Sequence, residues 1–436
     1  MAFFFIRLEG SNSLENSLGE HNIINDRSLI TLFVIPFLLS SCSGILGDAD
    51  SQKPDLNLSI EEVKLINASN EFGFDLLKNV NADEIGDDLF ISPISVSMAL
   101  GMTYNGADGE TKDAMRDALY LGDMTDDEIN RSYESLISLL LSLDPEVTMA
   151  LANSIWHRDN VDFEKSFLDL AREYFDAEVR GLDFSASNAT DIINSWIEDK
   201  TNGIIKETLI PPIPPLAVMY LINAIYFKGT WTIQFDKEKT RDWTFYTSSE
   251  TQSTVKMMSL REEFPYYEND ELQMVDLPYG NGDFSMTIVL PKKEKNIDAL
   301  ISEMSSESWN LLTSKLSPDT GDILLPRFKL EYKTELIKPL TAMGMGIAFS
   351  AGLADFSKMR SQNDIFISRV LHKSFVEVNE EGTEAAAVTV VEIGVTSVGP
   401  SRGFSMIINR PFLFVIRENR SGTIMFMGKI VNPKED

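Results

Sequence analysis

The chain is 436 residues long, enough for two or three ordinary domains or one large one with a sizeable core. Hydrophobic residues make up 43% and charged residues 24%, the composition of a soluble globule and not of a disordered polymer. The 38 Lys plus Arg stand against 67 Asp plus Glu, a net charge of −29, which argues against nucleic acid as a partner because phosphate binding needs basic surface. The single cysteine, Cys42, allows no intramolecular disulfide. One zinc site of the usual His/Cys kind would consume nearly all of His21, His157 and His372, so no metal and no cofactor is expected.

Residues 30–39 (ITLFVIPFLL) form a nearly apolar run, about half the ~20 residues that span a bilayer. Arg27 precedes it, and the small residues Ser40 and Ser41 follow. This is the layout of a secretory signal. Leu39-Ser40-Ser41-Cys42 resembles the bacterial lipobox, in which the cysteine becomes the new first residue and carries lipid. The alternative is a buried apolar helix with a chance cysteine. The basic flank is one Arg beside Asp26, and the residues ahead of it are long and polar for a signal, which puts a start downstream of Met1 in play. The expected division is a signal segment of lipoprotein type over 1–41, a flexible tether over 42–57 with Gly47, Asp48, Asp50 and Pro54, and a folded domain over 58–436. Lipid on Cys42 would hold that domain at a membrane without a spanning helix. The expected location is secreted or in the cell envelope.

After Leu58 no Pro/Gly/Ser linker divides the chain, and no fixed-period repeat or low-complexity block occurs. One large domain is therefore expected. Ser59 with Glu62 three residues on has capping-box spacing, and Val63, Ile66, Phe74 and Leu77 continue it as a helical stripe. Pro93 suits a first helical turn, with Val96, Ala99 and Leu100 behind it. Helical spacing recurs over residues 110–120, 128–141, 163–175 and 189–200. Residues 149–156 carry an apolar strand pattern, and the Pro-rich stretch 211–215 reads as a turn before a strand. Residues 217–227, 284–290, 323–330, 365–378, 412–416 and 423–430 are rich in β-branched and aromatic residues and predict strands. Helices first and strands later give an α+β class.

No Gly-x-Ser-x-Gly elbow, phosphate loop or HExxH helix occurs. With the signal removed, only His157 and His372 could serve a Ser-His-Asp arrangement. Each lies in or beside a strand pattern, where a lone histidine is more often a hydrogen-bonded structural residue than a base. The Asp48/Asp50 pair lacks the Gly and terminal Glu of a calcium loop. No enzyme activity is expected.

Residues 379–403 (NEEGTEAAAVTVVEIGVTSVGPSRG) join two strand patterns and are too long for an ordinary connection, where loops beyond about 12–15 residues are usually functional. Their composition fits a strand better than a loop. Thr383, Ala385, Ala387, Thr389, Val391, Ile393 and Val395 are uncharged and small or β-branched, while both charges, Glu384 and Glu392, fall on even positions. A period of two lets one face enter a core while the other meets solvent. A permanent strand would explain the pattern too, but Ala385-Ala386-Ala387 is a poor strand former and packs little. Small residues suit a hinge that slides between existing strands.

These residues resemble the serpin family. Glu380-Glu381-Gly382-Thr383-Glu384-Ala385-Ala386-Ala387 is similar to the serpin proximal hinge. Met406-Ile407-Ile408-Asn409-Arg410-Pro411-Phe412-Leu413-Phe414 is similar to the carboxy-terminal signature, and Phe426-Met427-Gly428-Lys429-Ile430-Val431-Asn432-Pro433 to the closing strand. Upstream, Phe90-Ile91-Ser92-Pro93-Ile94-Ser95 and Leu221-Ile222-Asn223-Ala224-Ile225-Tyr226-Phe227-Lys228-Gly229-Thr230-Trp231 match as well. The resemblance runs from Ser59 to Pro433.

The resemblance implies one large domain with a helix-rich first half, three β-sheets and an exposed reactive-centre loop. A protease attacks the loop and forms an acyl-enzyme. The freed loop then enters the main sheet as a new strand and drags the protease along, so that hydrolysis stalls. Serpin loop insertion is an established case of strand addition and strain release. By the same correspondence Ser92, Ser95, Asn223 and His372 form a shutter that exchanges hydrogen bonds as strands part. Trp231 marks where insertion begins, and Glu380 is expected to pair with a Lys, Lys295 being the candidate. Counting fifteen residues from Gly382 inclusive places the reactive bond at Thr396-Ser397. Thr before the bond suits an elastase-like or subtilisin-like serine protease, or some cysteine proteases, and not trypsin. The implied partner is a protease held in a covalent complex by a monomer, with loop–sheet polymerisation as a side route. The alternative is a non-inhibitory serpin, a carrier or chaperone at the cell surface. Charged or bulky hinge residues would mark that class, whereas this hinge carries Thr and Ala.

Overall fold

The computed structural model describes residues 1–10, 56–206, 208–248, 251–383 and 403–435. The chain divides into one unit of Met1–Ser11 with Leu58–Asp436 and another of Asn12–Asn57. The first carries the fold. Cys42, the hinge residues Glu384, Ala385, Ala386 and Ala387, and the bond Thr396-Ser397 lie outside the described residues.

Strands in chain order are β1 (Ala2–Gly10), β2 (Leu89–Ile91), β3 (Val147–Arg158), β4 (Ala177–Leu182), β5 (Ala217–Thr230), β6 (Arg241–Tyr246), β7 (Gln252–Glu268) and β8 (Leu272–Tyr279). Then come β9 (Phe284–Pro291), β10 (Ser317–Pro326), β11 (Phe328–Glu335), β12 (Ile365–Val378), β13 (Gly382–Thr383), β14 (Phe404–Ile407), β15 (Phe412–Glu418) and β16 (Ile424–Ile430). Helices α1 (Ile60–Asp83), α2 (Pro93–Tyr104), α3 (Gly109–Ala118), α4 (Asp126–Ser142), α5 (Lys165–Phe175) and α6 (Ala189–Lys200) all lie between β1 and β5.

Local chemistry explains several boundaries. Ser59 Oγ accepts from the Glu62 amide at 3.1 Å while the Glu62 carboxylate accepts from the Ser59 amide at 2.5 Å, a capping box that satisfies two orphan donors of α1. Thr125 and Glu128 do the same for α4. Ser92 caps α2 ahead of Pro93, and every residue of α2 is buried, as an apolar-all-round helix must be.

A seven-stranded sheet runs β11–β12–(β1 and β13)–β5–β3–β4, with β1 and β13 sharing the gap between β12 and β5. The remaining nine strands form a second ladder, β14–β10–β7–β8–β9–β15–β16–β2 with β6 on β7. The 17-residue β7 pairs β6 and β10 along one part and β8 at its end. It thus links β6, β10 and β14 to β8 and the strands beyond it.

One expected strand needs correcting. Residues 323–330 are the end of β10 and the start of β11. At Arg327 the chain leaves the β7 ladder and enters the β12 ladder, its amide donating to the Lys256 carbonyl at 2.8 Å. The apolar alternation continues through the crossing, so spacing alone did not reveal it.

Residues 1–10, read from sequence as part of a leader, form β1. It lies antiparallel to β12 on one side and to β5 on the other. Ala2, Phe3, Phe4, Phe5, Ile6 and Leu8 are fully buried. Ala2, Phe4, Ile6 and Leu8 join the main core with α2, while Met1, Phe3 and Phe5 join a second core with Trp156, Ile193 and Trp196 on the α6 side. Each large side chain buried this way contributes about 1.5–3 kcal/mol.

Candidate functional site

The hinge crosses from β12 to β13 over Asn379, Glu380 and Glu381. Thr383 pairs with Val378 of β12 and with Gly229 of β5. Two ladder positions of the gap are thereby taken at its upper end. Gly382 has φ of +152° and a Cβ there would run into the Gly229 carbonyl, so only glycine lets the chain turn in so close to β5. The Glu381 carbonyl accepts from the Trp231 amide at 2.9 Å, and the Glu380 carbonyl from the Phe235 amide at 3.0 Å.

Trp231 lies under this turn. Its indole N–H donates to the Asn379 carbonyl at 2.9 Å. Its ring stacks on Tyr279 at 4.4 Å with planes 11° apart, and the Tyr279 hydroxyl meets the Thr383 hydroxyl at 2.5 Å. Burial pushes the Tyr279 phenol well above its ordinary range, so it stays a neutral partner for Thr383.

The expected Lys295–Glu380 pair is not formed. Lys295 sits on Glu271 at 2.6 Å. Glu380 is held instead by Arg327, whose Nε donates to both carboxylate oxygens at 2.8 and 2.9 Å and whose Nη2 donates at 2.6 Å. Thr240 adds its hydroxyl, and Lys237 pairs with Glu381. The Glu380 side chain is only 2% exposed. A guanidinium matches a buried carboxylate with a planar fork where an ammonium cannot. A cleft of about 310 Å³ opens here, lined by Lys237, Arg327, Lys329, Glu377, Glu380 and Glu435 among others.

Lower in the sheet the structure brings Ser92, Ser95, Asn223 and His372 together, all buried. The Ser92 amide donates to His372 Nε2 at 3.2 Å, and Ser92 Oγ to the Met425 carbonyl at 2.8 Å. Ser95 Oγ donates to Asn223 Oδ1, and Asn223 Nδ2 to Asn153 Oδ1 at 2.8 Å. Burial pushes the His372 imidazole down to about 3, so it is neutral and accepts through Nε2. Its Nδ1 makes no well-formed hydrogen bond to the described residues, although the Phe3 backbone faces the ring. His157, the other histidine of the folded domain, lies 3.3 Å from the Arg158 carbonyl and edge-on to Phe163.

Arg327, Tyr279, Thr240 and Asn153 were missed from sequence. Each sits in an ordinary strand pattern or beside one, far along the chain from its partner. Only the acidity of the hinge hinted that a cation had to come from elsewhere.

The model of the family described as serpin (serine protease inhibitor) matches residues 67–433. The chain belongs to the serpin family. It is 35% identical to the leukocyte elastase inhibitor of Xenopus tropicalis, over 85% of this chain and 99% of that protein. The native state of the thermophilic serpin tengpin superposes with a TM-score of 0.78 at 31% identity, covering 87% of this chain and 96% of that one. Human thyroxine-binding globulin superposes with a TM-score of 0.77 at 29% identity, covering 86% of this chain and all of that one.

Proposed function

We propose that the chain inhibits a serine or cysteine protease by offering residues 384–402 as a substrate loop, with Thr396-Ser397 as the reactive bond. The nucleophile of the protease would attack the Thr396 carbonyl and release the Ser397 amine. The acyl-linked loop would then zip into the gap between β5 and β12 before water completes the hydrolysis. The observation that carries this reading is the seating of Gly382 and Thr383 as the first ladder pairs between those two strands. Likeness to an elastase inhibitor and the Thr before the bond both favour an elastase-like or subtilisin-like target. Likeness to thyroxine-binding globulin keeps a carrier as the competing reading, and the small hinge residues speak against it.

The test is incubation of the full chain, and of the form beginning at Cys42, with a panel of such proteases. A band stable in denaturing gels at the summed mass is expected from at least one form. Cleavage without such a band from both forms across the panel would sink the inhibitory reading. We further propose that lipid on Cys42 anchors the domain at the cell envelope. Fatty-acid labelling should disappear in Cys42→Ser, and labelling that survives would remove the anchor.

A further inference from the structure

We propose that the gap between β5 and β12 is a peptide-binding site for the chain's own residues Ala2–Gly10, and that this strand bars the reactive loop from the sheet while it is in place. The proposal rests on the loop-insertion reading given under Proposed function.

The register carries it. Thr383 stands opposite Val378 of β12 and Gly229 of β5. A ladder continued antiparallel from there puts Thr389, six residues on, opposite His372 and Asn223. Phe4 already stands opposite both of these residues. Three residues further, Glu392 would face Arg369 and Tyr220, the two partners of Arg7. The loop and the amino-terminal strand therefore claim the same positions, in the same direction and with the same parity. Thr389 would take the core-facing place of Phe4, and Val391 that of Ile6.

The contest is not one-sided in chemistry. The strand β1 fills the gap with three phenylalanines, an isoleucine and a leucine that are all fully buried, so it binds as an extended apolar peptide buried on both faces. The loop offers smaller side chains at those positions. At one position the preference reverses. Arg7 lies across from Arg369, a like-charge pair that is unfavourable in a sheet. Each arginine pairs with a separate carboxylate, Glu9 at 2.8 Å for Arg7 and Glu335 for Arg369. Glu392 in place of Arg7 would face Arg369 directly. The strand is thus held by apolar burial, with a charge position that favours its replacement.

Phe4 is also the wedge between Asn223 and His372, with its ring 6.3 Å from the imidazole. When β1 leaves, β5 and β12 can close on each other with these two residues in register. Removal of residues 1–41 at Cys42 would take β1 away with the leader, so the same cut that frees the anchor would arm the inhibitor.

The test compares the full chain with the full-length double variant Phe4→Asp/Ile6→Asp, which puts two carboxylates in the main core on the β1 face only. Backbone amides of residues 2–10 in the unmodified chain should be strongly protected from hydrogen exchange. Cutting the loop of the unmodified chain should leave its melting temperature unchanged, because the gap is already full, whereas the cut double variant should melt higher. The variant should also need about tenfold fewer molecules per protease inactivated. A synthetic peptide of residues 2–10, added before the cut, should return the variant to the behaviour of the full chain. Fast exchange of residues 2–10, or equal responses of both proteins to loop cutting, overturns the proposal. A variant that melts higher after cutting but traps no protease supports the binding site and overturns the inhibitory reading instead.

Discussion

Thr383→Arg turns the inhibitor into a substrate, and Glu384→Arg does much less. Thr383 is 2% exposed, sits between β5 and β12, and shares its hydroxyl with Tyr279 beneath Trp231. Thr383 already holds the seat from which insertion proceeds, so an arginine there must either be buried or be expelled from that seat, and an unpaired charge taken into a core costs several kcal/mol even after relaxation. A slower first step hands the acyl-enzyme to water. The loop is then cut at the same bond and active protease is released. Glu384 lies on the other parity of the alternation, so its replacement leaves the core-facing set uncharged. The measurement is the number of molecules consumed per protease inactivated, made on chains lacking residues 1–41 so that β1 does not enter the comparison. A rise of about tenfold or more is expected for Thr383→Arg, since each 1.36 kcal/mol in a barrier is tenfold in rate. Equal effects of the two substitutions would mean that the parity assigned to residues 383–395 is wrong.

Legibility followed local pattern. The strand 365–378 and the helix 189–200 were readable to the residue because their patterns begin and end cleanly, and β12 and α6 have those bounds. Ser92, Ser95, Asn223 and His372, which the structure brings together, were findable through short motifs that sit on separate elements. β1 was not readable. Its Phe3-Phe4-Phe5-Ile6 run has no alternation, because both faces of the strand are buried, and periodicity is silent for such a strand. Its place is also set by a gap between strands more than two hundred residues away, which no neighbour in sequence announces. Arg327 was hidden for a related reason, lying 53 residues from Glu380 on a different strand. Lys295 was chosen for Glu380 by charge alone, and charge without geometry does not choose between a lysine and an arginine.

Arg327→Ala should destabilise the fold by about 2–3 kcal/mol, while Lys295→Ala should fall within about 0.5 kcal/mol of the parent. Removing one partner of a buried pair leaves the other charge without compensation, which costs about 3–5 kcal/mol when both are fully enclosed. Glu380 is enclosed at 2% exposure, but Arg327 is 30% exposed, so water reaches the site and the loss is smaller. Lys295 and Glu271 are 45% and 58% exposed, and such a surface pair is worth little. Adding Glu380→Ala to Arg327→Ala should cost less than the sum of the two single changes, because the carboxylate left stranded by the first is removed by the second. Urea unfolding midpoints of the four proteins in this cycle supply the coupling. The hinge consequence follows from the same bonds. Arg327 starts β11's approach to the sheet and Glu380 sits three residues before Thr383, so the pair pins the root of the loop to the strand beside β12. If Arg327→Ala proves no more costly than Lys295→Ala, the pair does not hold the hinge, and the fixed entry point of the loop must come from the other contacts of the turn, those of Trp231, Phe235, Lys237 and Tyr279.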